Sequence, residues 1–110
     1  MNIDEMTIGE ARKIASMFSA SKSASHSFEV GESYLIRTVT MIQTGRVIAV
    51  TDSDVALEDA AWIADTGRFS EALKTGSLNE IEPFPDGCFV SRAAIVDFAK
   101  WRHDLPRKTK

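Results

Sequence analysis

The sequence predicts an α+β chain: a small antiparallel β-meander rolled into a partly closed barrel, with an N-terminal helix and one short internal helix. Three observations carry this. Apolar residues recur at helical spacing before residue 20. From Tyr34 to Ile63, β-branched and aromatic residues dominate between short turn signals. Helical spacing then returns at Phe69 and Leu73 and stops at Gly76. With 110 residues, 44% of them apolar, there is room for one domain around one core.

The first helix is expected over 7–19. Thr7-Ile8-Gly9-Glu10 has capping-box form, in which the Thr hydroxyl and the Glu carboxylate satisfy backbone N–H groups at the helix start. Ile8, Ala11, Ile14, Ala15 and Phe18 then form one apolar stripe. A flexible connector follows over 20–31, with Ser21, Ser23, Ser25 and Ser27 and little to bury. So tethered, the helix can dock on this domain, on a second copy or on a partner.

The β-rich core is expected over 32–97. YLIRTVTMIQ reads as the first strand, Thr44-Gly45 as its turn and RVIAV as the second strand. Thr51-Asp52-Ser53-Asp54 turns the chain into VALEDAAWI. On the first strand, alternation puts Tyr34, Ile36 and Ile42 on one face and Leu35, Val39 and Met41 on the other. Apolar groups on both faces suit a barrel, a sandwich or a face used for assembly.

Beyond the internal helix, NEIEPF is an edge strand, because Pro83 cannot donate to a ladder. Pro85-Asp86-Gly87 is a turn, and CFVSRAAIV is the last strand. A basic tail over 98–110 is expected to be solvated. Lys100, Arg102, Arg107, Lys108 and Lys110 could meet a phosphate backbone, but nucleic acid is the weaker reading for a chain of net charge -3.

The chemistry-bearing residues concentrate in LEDAAWIADTGRF, Leu57 to Phe69. On a regular strand Glu58 and Asp59 point to opposite faces, so they cannot act as a facing carboxylate pair. Asp59 or Asp65 is expected to cap the following helix, or Asp65 to accept from the Gly67 and Arg68 amides. Trp62, Asp65, Thr66, Gly67 and Arg68 make a candidate ligand corner: a ring to stack, a guanidinium for an anion and free amides. Interaction through homo-oligomerisation would instead use Ile8, Ile14 and Phe18 on the helix, with Tyr34 and Ile36 on the first strand.

No nucleophile, phosphate-loop or metalloprotease motif is present, so no enzyme and no cofactor are expected. Cys88 is the only cysteine, and His26 and His103 lack a second ligand at metal spacing, so no metal is expected. No apolar run approaches the roughly 18 residues that span a bilayer, and the acidic start is unlike a signal peptide, so a cytoplasmic location is expected.

Residues 37–41 (RTVTM), 44–46 (TGR), 57–69, 82–87 (EPFPDG) and 101–107 (WRHDLPR) together resemble an uncharacterised family of small proteins encoded by phages and prophages. The similarity runs from Tyr34 to Arg107 and brings no assigned catalytic or binding residues. It implies a virus-encoded accessory or virion-associated protein in the host bacterial cytoplasm or in particles assembled there, with a capsid or host protein as partner. In outline the element order is also similar to Sm-like small barrels, which form rings, although the helix after Ile63 interrupts their strand order.

Overall fold

The structure, a computed structural model, describes His26–Lys110. The expected helix 7–19, with Ile8, Ile14 and Phe18, and the first part of the connector lie outside the described residues. The elements are β1 (Ser33–Thr38), β2 (Ile42–Val50), β3 (Asp54–Asp65), α1 (Phe69–Thr75), β4 (Glu80–Pro83), β5 (Cys88–Ser91), a 3-10 turn (Arg92–Ala94) and β6 (Ile95–Lys100). All six strands form one antiparallel sheet in the order β4-β3-β2-β1-β6, and β5 pairs with the other half of β3 on the edge that β4 occupies.

The expected α+β class holds, as a mostly antiparallel sheet with one α-helix among the described residues. The sheet is not closed into a barrel, because no ladder joins β5 to β6. The 3-10 turn between them directs its backbone groups elsewhere: the Arg92 N–H donates to Ser53 O at 2.9 Å, and Ala94 O accepts from the Val39 N–H at 3.0 Å.

The first turn lies earlier than Thr44-Gly45. Thr38 closes it: its N–H donates to Met41 O at 2.7 Å, and its Oγ1 accepts from the Met41 N–H at 2.9 Å. Gly45 sits inside β2, opposite Tyr34. A Cβ there would lie 2.9 Å from the Leu57 Cβ, so this glycine permits a close approach rather than a turn.

Both faces of β1 are buried, each within this chain. Tyr34 and Ile36 join Phe28, Val47, Val55, Leu57, Ala60 and Val90 in a first cluster. Leu35 joins Ala61, Ile63, Ala72, Leu78, Ile81, Trp101 and Leu105 in a second cluster on the other face, beneath α1 and the tail. Ile42 packs with the second cluster instead of with Tyr34, because the earlier turn changes its facing. Each fully buried Leu or Ile contributes about 1.5–3 kcal/mol, so β1 is anchored from both sides.

Two segments expected to be loose are packed. In the connector, Phe28 is 7% exposed and stacks on Phe98 with ring centroids 3.9 Å apart, while the Glu29 N–H donates to the Tyr34 hydroxyl. In the tail, Trp101 and Leu105 are buried, and His103 Nε2 lies 2.8 Å from Leu73 O at the end of α1. Lys110 and Ile81 exchange backbone hydrogen bonds of 3.0 and 3.1 Å, so the tail covers the β4 edge. Its apolar residues at 101 and 105 outweigh its charge. Gly76 ends α1 in the left-handed conformation, φ 80°, as its position implies.

Gly87 is the tightest backbone contact among these glycines. Its φ is +74°, and a Cβ would lie 2.4 Å from Leu57 O. Gly87→Ala is expected to destabilise the protein by about 2–4 kcal/mol through left-handed strain plus overpacking. Gly31→Ala, at φ +96° with nothing within 4 Å, is expected to lose only about 1 kcal/mol. Urea midpoints measure both, and equal losses would contradict the assigned contact.

Candidate functional site

The segment Leu57–Phe69 is built around a bulge. Arg46 pairs with Glu58 and Thr44 with Ala61, so one residue of β2 faces two of β3. Asp59 takes up the difference with φ 48°, the one non-glycine positive φ among the described residues. Strand alternation therefore fails here, and with it the expectation that Glu58 and Asp59 diverge. Both carboxylates meet one guanidinium: Arg46 donates to Glu58 Oε1 at 2.9 Å and to Asp59 Oδ2 at 3.1 Å. Arg107 adds a bond to Asp59 Oδ2 at 3.0 Å.

Hydrogen bonds from Arg107 and then Arg46 hold the Asp59 carboxyl below the ordinary carboxylate range, against a smaller opposing effect of desolvation. A carboxylate held ionised in this way is an acceptor and a strut, the opposite of a general acid. Asp97 is lowered likewise by Arg37, whose guanidinium grips both of its carboxylate oxygens and lies over the Phe69 ring at 4.5 Å. Sequence alone gives Arg46 no role and places Arg107 only among the tail residues that could meet a phosphate backbone. The legible signals for them were Thr44-Gly45-Arg46 and the basic tail.

The five candidate ligand residues do not converge. Trp62, 36% exposed, points to the face of the first cluster, opposite Gln43. It also walls an open groove of about 320 Å³ with Val39 and Met41 of the β1–β2 turn and Ile42 at the start of β2. Asp65, Thr66 and Gly67 form a self-contained turn instead. Asp65 Oδ1 accepts from the Gly67 N–H at 2.8 Å, the bond expected of it, and Thr66 Oγ1 donates to Gly67 O. Arg68 is the N-cap residue of α1, exposed, and pairs with no carboxylate among the described residues. Neither Asp59 nor Asp65 caps α1 through its side chain. The candidate interaction residues Tyr34 and Ile36 are 2% and 0% exposed in the first cluster, so neither presents a surface.

A different residue is more open. Phe89 is 78% exposed on β5, between the inward-facing Cys88 and Val90. It stands opposite Ala56, which stands opposite Ala49 on β2. An irregularity between Val47 and Ala49 leaves Ile48 unpaired beside them, 49% exposed. These four form an apolar strip on the half of the outer face that α1 does not cover. Alternation in CFVS was the available signal for Phe89.

Burial pushes the Cys88 thiol up, away from reactivity. Among the described residues no three His, Cys, Asp or Glu side chains are grouped to hold a metal ion, and no helix is long and apolar enough to cross a membrane. Compared with protein-family models, curated proteins and solved structures, the chain matches none.

The Asp59 cluster gives a pH prediction. The folded-state pKa is depressed, so the contribution is complete above the ordinary value of 3.8 and is lost as pH falls through the lower folded value. Solvent exposure keeps it small. In urea unfolding across the acid range, Asp59→Asn is expected to lower stability at neutral pH and to flatten the decline below pH 3.8. Acid limbs that coincide for the two proteins would exclude the cluster as a stabilising contact.

Proposed function

We propose that this protein works without catalysis, as an accessory or virion-associated component that self-associates or docks on a capsid or host protein, in the host bacterial cytoplasm or the assembled particle. The observation that carries this reading is the apolar strip in which Phe89, Ile48 and Ala49 are exposed around the buried Ala56. A single exposed apolar side chain is ordinary, but an aromatic continuous with three neighbours on an open sheet face is the composition of an interface core. Burying the Phe89 side chain would contribute about 1.5–3 kcal/mol, and aromatic anchors dominate binding energy. The sequence resemblance to small phage-encoded proteins supports the viral setting.

The alternative, a small-ligand or nucleotide binder using the whole corner from Trp62 to Arg68, has less support. Its Gly67 amide is already bonded within the Asp65 turn, and Arg68 does not line the groove that Trp62 walls.

Light scattering of the full chain over a micromolar range tests the preferred reading. The wild type is expected to associate as concentration rises. Phe89→Ser is expected to reduce association while changing stability by no more than about 0.5 kcal/mol. A wild-type monomer, together with no Phe89-dependent partner recovered from infected cells, would contradict it.

A further inference from the structure

On the first-cluster face, one row of directly opposed residues crosses four strands: Ile36, Gln43, Trp62 and Glu82. Residues opposed in this way carry their side chains on one face, with Cβ atoms about 4.5–5.5 Å apart. Ile36 is sealed in the core, and the other three differ from it in chemistry. Gln43 is 8% exposed, and its Oε1 is buried with no hydrogen-bond partner. Leaving such an acceptor unpaired costs about 1–3 kcal/mol. Trp62 offers a partly open ring.

Glu82 is exposed and meets no cation among the described residues. Two rungs along the same ladder, past Ile63 opposite Ile81 and a register shift, Asp65 opposite Glu80 adds two more carboxylates that no basic side chain engages among the described residues. Lys110, beyond β4, is held through its backbone to Ile81 and makes no ion pair with Glu80 or Glu82. Arg37, on the rim of the neighbouring groove, is engaged by Asp97 and Phe69.

The row therefore combines an aromatic face, an unpaired carboxylate and an unpaired amide oxygen, with no cation of its own. A guanidinium matches each of the three. Its plane stacks on an indole, its fork matches a carboxylate, and N–H groups remain for a further acceptor; an ammonium lacks the plane and the fork. We propose that Gln43, Trp62 and Glu82 bind an arginine side chain presented by a partner protein, whose flanking residues lie in the groove walled by Val39, Met41 and Ile42. Gln43 Oε1 is sealed from water, so an arriving N–H reaches it only if the side chains over it move. The indole N–H then reports binding.

The test is a titration of the ¹⁵N-labelled full chain with hexa-arginine, hexa-lysine and hexa-glutamate peptides, read by NMR. Hexa-arginine at millimolar concentration is expected to shift the Trp62 indole N–H and the Gln43 side-chain amide saturably, and to leave the buried Trp101 indole unmoved. Glu82→Gln, on an exposed strand position, is expected to weaken binding about tenfold, the loss of one charge-assisted contact. Glu71→Gln is expected to leave it unchanged. Absence of the Trp62 shift, equal binding by Glu82→Gln, or equal response to hexa-lysine would each overturn the proposal. Phe89 lies on the opposite face, so self-association and arginine binding fail or succeed separately.

Discussion

Much of this fold follows from one backbone irregularity, the left-handed residue at Asp59. Before it, Val55 and Leu57 face the first cluster, so odd-numbered residues of β3 point inward. After it, Ala60 keeps the inward facing while Ala61 and Ile63 turn to the second cluster. One extra residue has reversed the parity of the strand. Without the reversal, Ile63 would face the first cluster and Trp62 would press against α1. A non-glycine residue at positive φ costs about 1–3 kcal/mol. The correct burial of Ala61 and Ile63, with the contacts of Asp59 to two arginines, offsets that strain.

The neighbouring strand is shaped to the same irregularity. β4 and β5 run in line along β3, interrupted where the bulge lies opposite them. Across that gap the Phe84 N–H donates to Ala60 O at 2.8 Å, and Gly87 passes directly over Leu57 O. The outer face is thereby divided. Beyond the bulge it is covered by α1 and by the tail through Trp101 and Leu105. Before the bulge it is left to Ala49, Ala56 and Phe89. The surface proposed for assembly and the row proposed for arginine are two consequences of one change of facing.

The features legible in the sequence are those that local chemistry decides. Gly76 stops α1, Asp65 closes on the Gly67 amide, and Pro85-Asp86-Gly87 turns the chain, because each depends on residues within a few positions of itself. The features that were not legible depend on distant contacts. Gly45 looks like a turn glycine until Leu57 is placed against it. Asp59 looks like a regular strand residue until Arg46 and Arg107 are seen to donate to the same carboxylate oxygen. Phe28 and Trp101 sit in polar stretches whose composition hides single anchoring side chains. The candidate corner failed as a unit for the same reason, since the parity change sends Trp62 to one face while the Asp65–Gly67 turn closes on itself.

The carboxylates of Asp59 and Asp97 are held ionised by arginines, those of Glu80 and Glu82 are exposed on β4, and the Cys88 thiol is half-buried. Both proposed surfaces rest on the facing of β3. Nuclear Overhauser contacts of the Ile63 methyl groups measure that facing most directly. They are expected to connect Ile63 with Ala72 and Leu78 of the second cluster, alongside the strong amide-to-Hα contact within Asp59 that a positive φ produces. Contacts from Ile63 to Val55 or Val90 of the first cluster would show that the strand does not reverse, and would contradict both proposed surfaces.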